Sequence, residues 1–598
     1  MSRPGLGAIP RQRNPRNTRS PSHRTAFLSL AFTVIAGLAL LGLQLAAPAA
    51  KASTAAAAQP ATAAALVQPA ALLQPAAVTP VVNCAQLAKD DFSRAVPGVP
   101  TTITSAALIT VTGAGYCDVQ GTQPPQLQFD LRLPVSTWTG RYVQEGCGGY
   151  CGAVTPGAPQ AATNCPAVTG NELALATDNE GHNGGGFDAS FGSDPAKRIS
   201  YAYTSEHDLD GAAKAIIKAY YGHGPAYSYF DGCSDGGREA FVEAERYPHD
   251  FNGILAGAPE IYATELNGEV QAWNILANMD ASGHAILTAE KLPALHAAVD
   301  ARCANAQGYI ADPRTCDFNP ASIQCPSGTD TSNCLTPAQV AVVREFYQGP
   351  QDPQGQDLYP GGEPYGSELA WTPWFIDPAS DAAWPTDTID WGAASGMLED
   401  LAFAKNPPAS FTVKDWSFTL RNYKKLTALN GLNDATDPDL NAFARAGGKI
   451  IIYQGWADSA INPFGTVNYY KSVVQYAGGY AASQQFSRLY MIPGGYHCLG
   501  GGAPSVTVDL LDPLFRWVER GTGPGAQAAT LTQPTATLKS ITVNPLNPNA
   551  PVKGHGLNSR YDWVGHLLRP GSELWCTANG LDTAMACSTR PNRYSYTA

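Results

Sequence analysis

Tyr227-Ser228-Tyr229-Phe230-Asp231-Gly232-Cys233-Ser234-Asp235-Gly236 runs from a short β-prone stretch into a G-x-S-x-G turn, and residues 236–246 continue with helical character. Strand, tight turn and helix in that order make a nucleophile elbow, a strained turn that lifts a serine hydroxyl above a sheet edge. A lone G-x-S-x-G arises often by chance, so the rest of the chain must agree with it.

Agreement comes from a second dipeptide, His497-Cys498. A cysteine flanks each candidate, Cys233 before Ser234 and Cys498 after His497. A disulfide needs Cα atoms within roughly 4.4–6.8 Å of each other. If these two cysteines pair, the serine and histidine loops lie within hydrogen-bonding reach; either could instead pair elsewhere. Serine is a weak nucleophile until a base takes its proton, and the base needs an acid to fix its tautomer. The α/β-hydrolase order is Ser, then Asp or Glu, then His. Ser234, Asp458 and His497 follow it, the last two just past the strand-like runs Lys449-Ile450-Ile451-Ile452-Tyr453 and Leu489-Tyr490-Met491-Ile492. The oxyanion hole is expected from the Asp235 amide and the Gly148-Gly149 stretch, where glycine lets backbone approach a carbonyl closely. Taken alone, Asp458 reads as a turn residue and His497 as a loop histidine. His182 and His207 are rival bases; His207 opens a helix ahead of the elbow, against the chain order, and both are read as structural, with His207 packing near the elbow.

With 44% hydrophobic content, 598 residues can bury a large core. Six arginines between Arg3 and Arg24, an apolar run over about 26–47 and Ala50-Lys51-Ala52 read as a secretory signal over 1–52. The alternative is an uncleaved anchor. Residues 53–82 are rich in Ala, Pro, Gln and Thr and read as a disordered spacer. Losing 1–52, which carries seven basic residues and no acid, takes the formal charge from −12 to −19. Such an acidic chain without a basic cluster is a poor partner for nucleic acid or anionic membrane. Thirteen cysteines behind an export signal read as disulfides, with one thiol left over. Cys147 and Cys151 resemble half a metal site with no second half in the sequence.

The organisation is an α/β-hydrolase core with a large insertion. Residues 83–259 alternate apolar runs with helical stretches, such as the strand-like Leu127–Leu133 and the helical Leu209–Tyr221. Residues 260–430 turn rich in Pro, Asp, Trp and Gly and read as a lid. Residues 431–598 return to the sheet pattern. Trp371, Trp374, Trp384 and Trp391 in the lid suit ring stacking or simply a core.

On Gly146–Gly152, Ala176-Thr177-Asp178, Gly232–Arg238, Gly257-Ala258-Pro259, Gly455-Trp456-Ala457-Asp458 and His497-Cys498, the chain resembles the tannase and feruloyl esterase family, which includes mono(2-hydroxyethyl) terephthalate hydrolase. The resemblance implies that Ser234, Asp458 and His497 are the triad and that Cys233–Cys498 is a linking bridge. It also implies bridges Cys84–Cys117, Cys303–Cys316, Cys325–Cys334 and Cys576–Cys587, and leaves the pairing of Cys147, Cys151 and Cys165 open. Three departures stand out. The family's His-Gly-Trp is Gln454-Gly455-Trp456 here, and its Pro-Gly-Met-Gly is Pro493-Gly494-Gly495-Tyr496. Both changes are expected beside the pocket, where they alter the substrate. The family's calcium loop, D-x-x-D-G-x-x-D-G-x-I, reads Asp300, Cys303, Ala304, Gln307, Gly308 and Ile310. One carboxylate survives, and calcium wants six to eight oxygens. Calcium is therefore expected to be absent or weakly bound, and no other metal or cofactor is expected.

The function implied is a secreted, extracellular serine esterase acting on small esters of aromatic acids, of plant cell-wall or tannin origin: feruloyl or related hydroxycinnamoyl esters first, galloyl esters second. A terephthalate-monoester hydrolase, an amidase or peptidase, and a catalytically silent phenolic- or carbohydrate-binding protein are the alternatives. The residues alone support acyl transfer through serine.

Overall fold

Alternation of apolar side chains along each central strand builds the architecture. The computed structural model describes residues 76–378, 383–500, 505–532, 538–552, 569–578 and 585–589. The signal over 1–52 and the spacer as far as residue 75 lie outside them. In chain order the main strands are β1 (Thr102–Val111), β2 (Ala114–Gln123), β3 (Leu127–Pro134), β4 (Arg141–Glu145), β5 (Leu173–Asp178), β6 (Tyr227–Cys233), β7 (Gly253–Gly257), β8 (Lys449–Gly455) and β9 (Ser487–Ile492). They form one sheet ordered β1-β2-β3-β5-β4-β6-β7-β8-β9. The first three spatial pairings are antiparallel and the remaining five parallel. A parallel strand is covered on both faces and so reads as a near-continuous apolar run. In β8, Ile450 and Ile452 join the core with helices Ser205–Tyr221, Asp235–Arg246 and Pro463–Tyr476, while Ile451 and Tyr453 face the core closed by helix Leu511–Arg520. Those helices end where local chemistry ends them. Asn462 caps one N-terminus by accepting from the Phe464 amide at 2.9 Å, and Gly222 and Gly521 close two C-termini at positive φ.

Gly146–Gly152, Ser234, Asp458 and His497 follow the C-terminal ends of β4, β6, β8 and β9, so they gather at one edge of the sheet. Between β7 and β8 the described chain adds no strand to this sheet. It forms helices with their own core around Leu295, Val343, Phe346, Trp371 and Phe375. A further cluster packs Met397, Leu398 and Leu401 of the insertion against Tyr150, Phe191 and Tyr201. Beyond β9, β10 (Ser505–Val508), β11 (Gln527–Thr532) and β12 (Leu538–Val543) make a small antiparallel sheet. The last pair, β13 (Trp575–Ala578) and β14 (Met585–Ser588), sets Cys576 opposite Cys587, which are bonded. The Tyr203 hydroxyl donates to the Cys576 carbonyl and accepts from its amide, tying this hairpin to the core.

The spacer ends earlier than its composition suggested. Val78 and Val81 donate backbone hydrogen bonds to the carbonyls of Trp138 and Tyr220, and Val78 and Val82 pack on the main core. Three valines within five residues supply apolar area that the preceding Ala-Pro-Gln tract lacks.

An unusual number of carboxyl groups is buried in this fold. Burial lifts Asp178 to about 6, Glu145, Asp208 and Asp210 to about 7, and Glu260 and Asp390 to about 8. In the unfolded chain such groups titrate near 4. The native state therefore holds more protons between about pH 4 and 8, and this contribution to stability is complete below the unfolded value and lost as pH rises through the folded ones. The melting temperature is expected to fall by several degrees from pH 5 to pH 8, as calorimetry would measure. A steady rise over that range would contradict the assignment.

Candidate active site

Backbone contacts make the elbow. Ser234 sits at φ 69°, ψ −124°, with its amide donating to the Gly257 carbonyl at 3.0 Å. This is left-handed backbone that a non-glycine residue holds only under constraint. The glycines on either side permit the turn. A Cβ on Gly232 would lie 2.3 Å from the Gly236 carbonyl oxygen, and one on Gly236 2.9 Å from that of Cys147.

Around this serine the structure gathers two residues that are remote from it in sequence. His497 Nε2 lies 3.0 Å from Ser234 Oγ, and His497 Nδ1 lies 3.1 Å from Asp458 Oδ2. With Nδ1 protonated, the imidazole donates to Asp458 and accepts from the serine hydroxyl. Asp458 is fully buried, and its Oδ1 accepts from the amides of Ala460 and Ile461, both at 3.0 Å. Cys233 and Cys498 are bonded, with Cα atoms 5.9 Å apart. The aspartate and histidine loops also touch backbone to backbone, the Ala457 amide donating to the Gly495 carbonyl at 3.0 Å.

The glycine loop after β4 lies alongside. Its amides are largely engaged: Gly146 donates to the Asp231 carbonyl, Cys147 to Glu239, Tyr150 to the Gly186 carbonyl and Cys151 to the Gly148 carbonyl. The amides of Gly148, Gly149 and Asp235 make no hydrogen bond among the described residues. Of these, Gly148 and Gly149 line the cavity beside Ser234, and Asp235 is fully buried. A cavity of about 340 Å³ opens here, lined by Ser234, His497, Gly148, Gly149, Phe187 and Trp374 among others.

Beneath the elbow lies a charged knot. Arg238, 1% exposed, bonds Asp235 at 2.5 Å and Glu180 at 3.0 Å, and donates to the carbonyls of Tyr201 and Ala202. Burial works against the charge on the guanidinium, and its neighbours, Asp235 foremost, more than offset that and raise it above its usual range. Burial, with Asp235 nearby, pushes Glu180 and Glu239 well above the usual carboxylate range.

A family model described as tannase and feruloyl esterase matches residues 109–552. The chain belongs to the tannase and feruloyl esterase family. It is thereby a carboxylic ester hydrolase. An uncharacterised esterase of Xanthomonas campestris pv. campestris is 31% identical over 68% of this chain and 76% of its own. Mono(2-hydroxyethyl) terephthalate hydrolase of Piscinibacter sakaiensis is 29% identical over 71% and 79%. The crystal structure of feruloyl esterase B from Aspergillus oryzae superposes with a TM-score of 0.65 at 21% identity, covering 77% of this chain and 96% of that one.

Several residues of this esterase sit elsewhere than expected. Gln454 is fully buried behind the triad, not beside the pocket: its amide donates to Asp458 Oδ2 at 2.9 Å and to the Ile461 carbonyl at 3.0 Å. Gly494 likewise lies outside the catalytic cavity, in a crevice with Trp456 and Ala457. His207 is not near the elbow. It contacts Asp250 at 2.5 Å and stacks on Tyr247, beyond the other end of the helix that Ser234 opens. His182 is buried and stacks on Phe191. Of the four tryptophans, Trp374 meets His497 edge-on with ring centres 5.2 Å apart; Trp371 and Trp384 are buried, and Trp391 packs at the edge of the same insertion core.

The cysteines form six disulfides: 84–117, 147–151, 233–498, 303–316, 325–334 and 576–587, leaving Cys165 as a buried thiol. The half metal site of Cys147 and Cys151 does meet a second half in space, Glu180 and Glu239, but both sulfurs are bonded to each other. In the degenerate calcium loop, Asp300 faces His296 at 3.4 Å, Cys303 is committed to its disulfide, and the Asn305 side chain accepts from the amides of Gln307 and Tyr309. His296 also contacts the buried Glu368 at 2.7 Å. Asp300 is the one carboxylate left at the positions of the family pattern, against the six to eight oxygens that calcium takes.

Proposed function

We propose that this enzyme is a secreted serine esterase that cleaves esters of aromatic acids, feruloyl or related hydroxycinnamoyl esters first and galloyl esters second. The observation that carries the reading is the chain of contacts from Ser234 Oγ through His497 to Asp458, at 3.0 and 3.1 Å. In this mechanism the Ser234 hydroxyl oxygen attacks the ester carbonyl as His497 Nε2 takes its proton. The carbonyl oxygen becomes an oxyanion, held by the amides of Asp235 and of Gly148 or Gly149. Collapse breaks the bond to the alcohol oxygen, which leaves with the proton from His497. Water then attacks the acyl-enzyme by the same route, releasing the acid and restoring Ser234. Asp458 orients the imidazole, and Gln454 orients Asp458. Phe187 and Trp374 on the cavity wall support an aromatic acyl group, and the insertion over 260–430 acts as a lid bringing Trp374 to the site. Six disulfides support an oxidising compartment, and no helix among the described residues is long and apolar enough to cross a membrane.

The test is a hydrolysis panel of methyl ferulate, methyl gallate and a terephthalate monoester. Methyl ferulate is expected to give the highest kcat/KM. A higher value for the terephthalate monoester would move the assignment to that substrate, and no turnover of any of the three would overturn it.

We further propose that catalysis and stability here are independent of calcium. Extensively dialysed protein is expected to contain less than one calcium per chain, with the same melting temperature in chelator and in millimolar calcium chloride. Stoichiometric calcium, or a chelator-sensitive transition, would contradict this.

A further inference from the structure

We propose that Glu145 and Asp231, side by side at the floor of the catalytic cavity, form a subsite for a hydroxyl-bearing part of the ester. The proposal rests on Ser234 being the nucleophile and deepens that reading. Glu145 ends β4, and Asp231 lies three residues before Ser234 on β6. The parallel ladder pairs them directly, and it pairs Glu145 with Thr177 of β5 on the other side. Laterally paired residues in a sheet project to the same face, on strands about 4.8 Å apart. Three polar residues therefore run across three central strands on a face whose preceding positions, Val143 and Tyr229, belong to the apolar core. All three line the cavity that holds Ser234 and His497.

Their hydrogen bonding is incomplete. Both carboxyl oxygens of Asp231, a residue 3% exposed, and Oε1 of Glu145 have no hydrogen-bond partner among the described residues. The Gly157 amide reaches the other Glu145 oxygen only at 3.4 Å, and the Gln160 backbone near Asp231 only partly offsets the effect of burial on it. Buried polar groups are nearly always satisfied, so unsatisfied ones in a catalytic cavity point to a missing partner. The chemistry of that partner follows from charge. Burial pushes Glu145 up to about 7, and burial with Glu145 alongside pushes Asp231 well above the usual carboxylate range. A neutral carboxyl offers one donor and further acceptor capacity, the complement of an alcohol or phenol hydroxyl. A cation would require an ionised acid, and an anion would find Arg132, the positive group that acts on Glu145, already paired with Asp118 and Asp130 at 3.5 and 3.3 Å. The rim at Thr155, Gly157 and Gln160 is exposed, leaving an entrance.

The hydroxyl can belong to the acyl ring or to a polyol leaving group, and two matched substrate pairs separate these. Methyl 3,4-dihydroxycinnamate against methyl cinnamate probes the ring; glyceryl cinnamate against propyl cinnamate probes the alcohol. At pH 6 the wild-type enzyme is expected to prefer the hydroxylated member of one pair by about tenfold in kcat/KM, the worth of one hydrogen bond. Glu145→Leu and Asp231→Leu are expected to erase that preference through KM, while Glu145→Gln, which still donates and accepts, retains most of it. Absence of preference in both wild-type pairs overturns the subsite, as does a preference that survives both leucine substitutions. Glu145 as a residue keeps some exposed surface although its Oε1 is buried, so its variants and the wild-type pairs decide the matter even if Asp231→Leu does not fold. Wild-type protein inert toward all four esters would instead strike the esterase reading itself.

Discussion

Ser234→Ala is expected to lower kcat toward any ester by about 10⁶-fold, with the melting temperature within a degree or two of wild type. Loss on that scale follows from the geometry. The 3.0 Å contact from Oγ to His497 Nε2 is the only route among the described contacts by which the hydroxyl loses its proton to a base. His497→Ala is expected to cost about as much, and the double variant little more than either single one, because nucleophile and base act as a unit. Asp458→Asn is expected to cost less, about 10⁴-fold, by favouring the wrong imidazole tautomer. Steady-state kinetics with a p-nitrophenyl ester, alongside circular dichroism, would check all four. Retained turnover in Ser234→Ala would remove the nucleophile assignment. Costs that multiply in the double variant would show that serine and histidine act separately.

The second large effect concerns the 233–498 bond. It closes a loop of 265 residues, for which the chain-entropy argument gives about 5 kcal/mol of stabilisation through the unfolded state. It also fixes where the catalytic side chains stand, since each is bonded in sequence to one of the bridged cysteines. In the double variant Cys233→Ala/Cys498→Ala the melting temperature is expected to fall substantially. Below that transition kcat is expected to drop by about 100-fold, the scale of a 1 Å misplacement of reacting groups. Differential scanning calorimetry and kinetics at low temperature separate the two losses. Wild-type kcat in folded, bridge-free protein would mean that the backbone contacts between the loops suffice for alignment.

How far the residues alone announce this arrangement depends on the range of the interactions involved. The elbow is legible because a β-prone run, two crowded glycines and a helix lie within twenty residues, and each obeys local sterics. Asp458 and His497 are legible because each follows a run such as Ile450-Ile451-Ile452 that only a doubly covered strand requires. The function of Gln454 is not: a buried glutamine next to the triad acid looks, in sequence, like a replaced family histidine, and its hydrogen bond to Asp458 exists only once the strand end folds back. The hairpin of β1 and β2 gave no alternating signal, because β1 sits at the sheet edge with most of its residues at least partly exposed. Cys147, Cys151 and Cys165 could not be paired from spacing. Glu180 on one segment and Arg238 with Glu239 on another share one buried knot that no periodicity reveals. Trp374 reaches His497 from an insertion whose helices are short and irregular.

The position of that insertion has a consequence for biogenesis. β7 ends at Gly257 and its neighbour β8 begins only at Lys449. At translation rates of about 5–20 residues per second, the intervening segment takes on the order of 10–40 s to emerge. Throughout that interval β7 has a bare, apolar edge, and Cys233 has already appeared while Cys498 has not. Four insertion cysteines become available to it first. Yield from a recombinant host should therefore hinge on a disulfide-reshuffling catalyst more than on the intrinsic folding speed of the sheet.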